Sequence, residues 1–149
     1  MAADNEYSIN SSQQMRIEGA LFLLRLSLGG FLLLWGIDKL VEPFSTVITF
    51  RGFYGLPINS TVAMIAGVLE IALALAIIAG LFKTLSYGLG LLLHLSSVIV
   101  THKQWLAPFG DNHLFIAALP ILGAFVVLFV LRDSDNRWSL DSWRQSRQL

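Results

Sequence analysis

Three ionisable residues, Arg25, Glu70 and His94, stand inside otherwise apolar runs of this sequence. An ionisable side chain in hydrocarbon is expensive and is held there by a partner or by a function. Arginine donates hydrogen bonds to a carbonyl, and a carboxylate or an imidazole carries a proton. Together the three residue types suit a site that holds a polar head group and moves protons. Glu70 and His94 are the candidate catalytic, proton-carrying pair. Arg25, Tyr87 and Ser97 join them as candidate cofactor-binding residues. A purely structural role is the competing reading, with Arg25 and Glu70 as a buried ion pair that fixes helix register.

A second group, Asp38, Glu42, His102, Asp111 and His113, falls near helix ends on the other side of the chain's apolar blocks. Histidine and carboxylate ligate transition metals, but this spacing matches no ligand motif. We read a solvated rim shared with Lys39, Arg51 and Lys103, and expect no metal site. A bis-histidine haem is disfavoured: His94 falls near mid-membrane and His102 and His113 near the surface, so no pair faces across the bundle at one depth. With no cysteine in the chain, thiolate catalysis, disulfide exchange and cysteine-ligated metals are excluded. Phosphate-loop, HExxH and nucleophile-elbow motifs are absent.

The elements that must position these residues follow from composition. The 149 residues are 55% hydrophobic and only 13% charged, and mean hydropathy is +0.67. Formal net charge is zero, so nothing points to an electrostatic nucleic-acid binder. The apolar residues form four blocks, about 19–37, 61–82, 85–101 and 113–131. Each is near the ~20 residues that a helix needs to cross a bilayer core. The expected fold is therefore all-α: an integral membrane four-helix bundle over residues 19–131 with both termini cytoplasmic. A polar tail, 1–18, precedes it, with a frayed start or a turn at Ser11 or Ser12. A cytoplasmic tail, 132–149, follows. No basic stretch or cleavage site marks a signal peptide, so the first span is expected to be retained. Internal repeats are not evident.

Side and depth can be counted. Arg16, Lys83, Arg132, Arg137, Arg144 and Arg147 fall on the terminal side, against Lys39, Arg51 and Lys103 on the other. That bias places the termini in the cytoplasm. Trp35, Trp105, Trp138 and Trp143 sit where interfacial anchors belong. At about 1.5 Å per residue, Arg25, Glu70 and His94 lie roughly 13, 16 and 15 Å from their inner span ends. Small or polar stripes carry them: Arg25, Gly29 and Gly36; Ala63, Gly67, Glu70 and Ala74; Tyr87, Gly90, His94, Ser97 and Thr101. Small residues let membrane helices approach, so these faces are expected inside. Pro120 is expected to kink the fourth span, its ring denying the Ile116 carbonyl a donor and leaving it free for a neighbour or a water. The turn at 80–84 makes the second and third spans antiparallel neighbours, and the apolar piece at 44–50 is too short to span.

These residues also resemble a family, the DoxX/DoxD-like membrane proteins. The likeness runs from about Leu24 to Asp141. It rests on LLRLSLGGFLLLWGIDKL, on GLP before the second span, on AGVLEIALALAIIAGLFKT, and on RWSLD at 137–141. The resemblance implies a four-helix bundle of the prokaryotic inner membrane. It also implies links to thiosulfate:quinone oxidoreduction, to quinol oxidation and to thiol or oxidative stress. On that basis the expected role is a redox-assembly subunit binding a quinone, with a protein partner or a second copy. A non-catalytic scaffold subunit is the alternative.

Overall fold

A computed structural model describes residues 2–147, with side chains described from residue 11 on; Met1 and residues 148–149 of the expected tails lie outside them. The described chain is all-α. Helix α1 runs Ala2–Val41. Between Ala2 and Glu18 there is neither glycine nor proline, so nothing stops the helix, and helix replaces the expected fray and the turn at Ser11 or Ser12. At about 1.5 Å per residue, a helix of this length is roughly twice the thickness of a hydrocarbon core.

Four segments are long and apolar enough to cross a membrane: Ser11–Val41, Ser60–Ala79, Lys83–Val100 and Gly110–Val130. The second and third are helices α3 and α4. Between α1 and α3, α2 (Pro43–Thr49) and a π-helical turn, Phe50–Tyr54, fold back over the bundle. Helix α2 packs on α1 and α3 and buries Thr46. The tight α3–α4 turn uses Gly80 at φ +62°, where a Cβ would also meet Ser139 Oγ at 2.9 Å. Helix α5 is His102–Leu106.

The fourth span is composite: a 3-10 segment, Gly110–Ala117, leads into α6, Ala118–Val130. Pro120 therefore sits in the first turn of α6, where a missing N–H is tolerated, and its ring excludes α geometry at Ile116. The 3-10 segment accommodates that exclusion. Contrary to expectation, the proline is not a kink within a continuous helix. A 3-10 turn, Arg132–Ser134, and α7, Leu140–Ser146, close the chain.

Helix α1 lies antiparallel along α3, and α4 packs on α6. The core joins Leu28 and Leu32 of α1, Ala74 and Ile77 of α3, Tyr87 of α4, and Phe125 and Leu128 of α6. The small-residue faces are the buried ones. On α3 the buried residues are Ala63, Gly67, Glu70, Ala74 and Ile77; on α4 they include Tyr87, Gly90 and His94.

Candidate functional site

Helix contacts fix the depth of each ionisable side chain. A Cβ on Gly80 would meet Arg25 Nη1 at 2.6 Å. Arg25 is therefore level with the inner end of α3. Glu70 lies ten residues earlier on that helix, about 15 Å away along its axis. The expected Arg25–Glu70 pair does not form. Arg25 lies about 13 Å from Arg16, but α1 extends through Arg16 as continuous helix, so Arg16 does not mark the inner end of the first span.

Arg25 is fully buried and bonded to the C-terminal segment. Its Nη1 donates to Asp135 Oδ2 at 3.0 Å, and its Nη2 donates to the carbonyls of Arg137 and Trp138, each at 3.1 Å. The Tyr87 hydroxyl donates to the same Asp135 oxygen at 2.6 Å, a charge-assisted length. Further bonds hold the segment to the α3–α4 turn. Lys83 Nζ donates to the Asp135 carbonyl, Ser139 Oγ to the Gly80 carbonyl, and Asp141 Oδ2 accepts the Lys83 backbone N–H. Arg25 Nε and Asp135 Oδ1 are buried without a hydrogen-bond partner among the described residues. The sequence offered one signal for this cluster: a buried guanidinium demands a counter-charge, and the terminal side holds Asp133, Asp135 and Asp141. Asp135 stands 110 residues from Arg25, within the segment 132–149 expected as a cytoplasmic tail.

Glu70 pairs instead with Lys39, Nζ to Oε2 at 2.8 Å. Lys39 was expected in the outer rim. A Cβ on Gly67 would meet Lys39 Cβ at 2.9 Å, so Lys39 enters the bundle within one turn of Glu70. Its ammonium also donates to the Trp35 carbonyl at 3.2 Å and lies 5.5 Å from the Trp35 ring centroid. The side chains of Lys39 and Glu70 are 14% and 9% exposed, so the pair is largely buried but less completely enclosed than Arg25.

His94 occupies a third place. Its Nε2 is 2.9 Å from the Ala118 carbonyl. Its ring stacks on Phe125, centroids 5.6 Å apart, and meets Phe31 edge-on at 5.7 Å. Phe31 in turn meets Trp35 at 6.3 Å. One stripe of α1, Phe31, Trp35 and Lys39 at successive four-residue steps, thus runs from His94 to Glu70. Ser97 shares a hydrogen bond with Tyr54 at 3.0 Å and pins the π-helical turn to α4.

The five candidates therefore divide. Arg25 and Tyr87 meet at Asp135. Glu70 and His94 lie along one α1 stripe without touching, and Ser97 holds the outer cap. At the rim, His102 and His113 are exposed and each faces a backbone carbonyl through Nδ1. Among the described residues no group of three or more histidine, cysteine or acidic side chains is placed to hold a metal. An open hollow of about 480 Å³ lies at the inner end, lined by Lys83, Asp133, Asp141 and neighbours; Glu70 and His94 do not line it.

Comparison with known proteins gives one likeness. A family model described as DoxX matches residues 20–103, more than half of the chain, from α1 into α5. No curated protein and no solved structure matches.

Proposed function

The chain belongs to the DoxX family, and from that premise we propose that it is the quinone-binding membrane subunit of a redox assembly in a prokaryotic inner membrane. The observation that carries the reading is the Lys39–Glu70 pair. It is a charged pair at 2.8 Å within the span region, largely buried with side chains 14% and 9% exposed, beside a Trp35 that is itself exposed. A pair kept only for stability has no need of an exposed aromatic at its edge, and buried pairs are weak stabilisers. A flat head group arriving through lipid finds an aromatic surface at Trp35 and Phe31 and a charged donor at Lys39. Glu70 holds Lys39 in place and carries a proton, and His94 is a second proton carrier along the stripe. A bound quinone supplies two-electron, two-proton chemistry. The electron donor belongs to a protein partner, since the chain holds no thiol and no metal-ligand motif.

The test is quinone retention. Full chain purified with native lipid is extracted and its quinone counted per protein. Lys39→Gln with Glu70→Gln removes both charges and strands neither. His94→Leu removes the second carrier at similar bulk. Both variants are expected to retain at least about tenfold less quinone, a loss of ~1.4 kcal/mol, while His102→Leu and His113→Leu retain it. Absence of quinone from the wild type, or equal retention in all variants, would sink the proposal. The scaffold reading then stands. Its support is the inner cluster, where the side chains of Arg25, Tyr87 and Asp135 are wholly enclosed and hydrogen-bond one another and backbone carbonyls among the described residues.

A further inference from the structure

The inner end carries a surface that the quinone reading does not use. Three arginines there each lie over an aromatic ring: Arg137 over Trp138 at 4.8 Å, Arg144 over Phe82 at 5.4 Å, and Arg147 over Trp143 at 3.8 Å. The three arginines and their aromatic partners are all exposed. None of these arginines has an ion pair among the described residues. Of the nearby acids, Asp135 is engaged by Arg25, Asp141 by the Lys83 N–H and Glu18 by Gln14, while Asp133, 4.0 Å from Arg132, stands exposed.

The level of this surface is fixed. Ser139 and Asp141 are bonded to the α3–α4 turn, where two spans end. The Arg137 guanidinium reaches α1 at Gly19, where a Cβ would stand 3.3 Å from Nη1. Trp138 packs edge-on against Phe22 at 4.8 Å. Gly19 and Phe22 lie six and three residues before Arg25. That is about 9 and 5 Å beyond the level of the inner end of α3, the depth of lipid headgroups. Trp138 adopts φ +49°, a conformation unfavourable for a bulky residue, which Arg25 holds by bonding the Trp138 carbonyl. Exposed tryptophan at that depth partitions into the interface. Guanidinium beside it pairs with phosphate.

We propose that residues 137–147 seat on anionic phospholipid of the adjoining leaflet, with Arg137, Arg144 and Arg147 taking headgroup phosphates and Trp138 and Trp143 entering the interface. Charge complementarity selects this occupant, because among the described residues the surface has three arginines without an ion pair beside exposed aromatics, and Asp133 is its one exposed acid.

The test uses full chain in vesicles of phosphatidylcholine alone or with phosphatidylglycerol added. Hydrogen exchange of the 140–147 amides is followed by mass spectrometry. Exchange is expected to slow in the anionic vesicles, by roughly fivefold per engaged arginine, and high salt should remove the difference. The variant Arg137→Gln/Arg144→Gln/Arg147→Gln should exchange alike in both. Equal exchange of the wild type in the two vesicles, or a difference that survives in the variant, overturns the proposal. If that variant cannot be reconstituted, Arg147→Gln and the wild-type salt series decide, and a lipid difference insensitive to both overturns it. Slowing that requires an added membrane-protein extract in neutral vesicles assigns the surface to a protein instead.

Discussion

At the residue scale, Arg25 governs how the chain closes. A guanidinium stays protonated in a protein, so once enclosed it must be compensated where it stands. Asp135 and two carbonyls do this, and the Tyr87 hydroxyl, donating to the same Asp135 oxygen, holds that carboxylate in place. Removing the carboxylate by Asp135→Ala leaves the buried cation with carbonyl dipoles only. The expected loss is about 3–5 kcal/mol, the usual result of breaking a buried pair from one side. The double variant Arg25→Met/Asp135→Leu should recover part of it, because neither charge is then stranded. Tyr87→Phe keeps the pair and removes one donor, for about 1–2 kcal/mol. Denaturant titration in detergent micelles measures all three. A double variant no better than Asp135→Ala alone would show that the two charges are not coupled. Arg25 was legible as an enclosed residue, since an ionisable group among small residues faces inward. Its partner was not. Composition says that a polar tail is solvated, and only the fold shows that the tail returns to the bundle.

At the scale of elements, the closest approach is between α1 and α3. A Cβ on Gly67 would stand 2.8 Å from the Gly36 carbonyl oxygen, and one on Gly36 would stand 3.0 Å from the Ile71 backbone N. The obstacles are backbone atoms, which cannot rotate away. Gly67→Ala should therefore part the helices and destabilise the bundle by about 1–3 kcal/mol, the range for overpacking. It should also loosen the Lys39–Glu70 pair, whose approach depends on that contact. Gly30 lies on the same α1 helix with nothing within 4 Å of its would-be Cβ, and Gly30→Ala should be neutral or stabilising by up to about 1 kcal/mol. Thermal unfolding of both variants compares them directly; equal shifts would refute close packing as the cause. The four spans were legible because hydropathy reports the solvent a segment tolerates. Their ends were less so. The first apolar block stops near Ile37, yet α1 continues to Val41, because Glu70 gives Lys39 a partner inside the bundle. The 3-10 start of the fourth span was hidden too, since its residues are as apolar as those of a helix.

At the scale of the whole molecule, two independent arguments fix how the ends relate to the membrane. Four spans return the chain to its starting side. The Arg25–Asp135 contact, 3.0 Å with both side chains fully enclosed, ties the C-terminal segment to the inner half of α1 by direct bonding, whatever the count of crossings. Which side that is depends on charge. Arg16, Lys83, Arg132, Arg137, Arg144 and Arg147 belong to the terminal end. At the opposite end only Arg51 and Lys103 remain unpaired among the described residues, because Lys39 is engaged by Glu70. The count of six against three leads us to expect a cytoplasmic terminal end, and the Lys39–Glu70 pair leaves that count unchanged, because the rule counts basic residues and not net charge. The chain has no cysteine, so single thiols can be placed without background. Asp111→Cys stands at the outer start of the fourth span, in its 3-10 segment, and Gln145→Cys in α7, both exposed. A membrane-impermeant maleimide should label Asp111→Cys in intact cells and Gln145→Cys only after the membrane is opened. The reverse pattern would keep the four crossings and invert the protein. Equal labelling of both in intact cells would mean that the two positions share a side, and the fourth span, which alone separates them in sequence, would not cross.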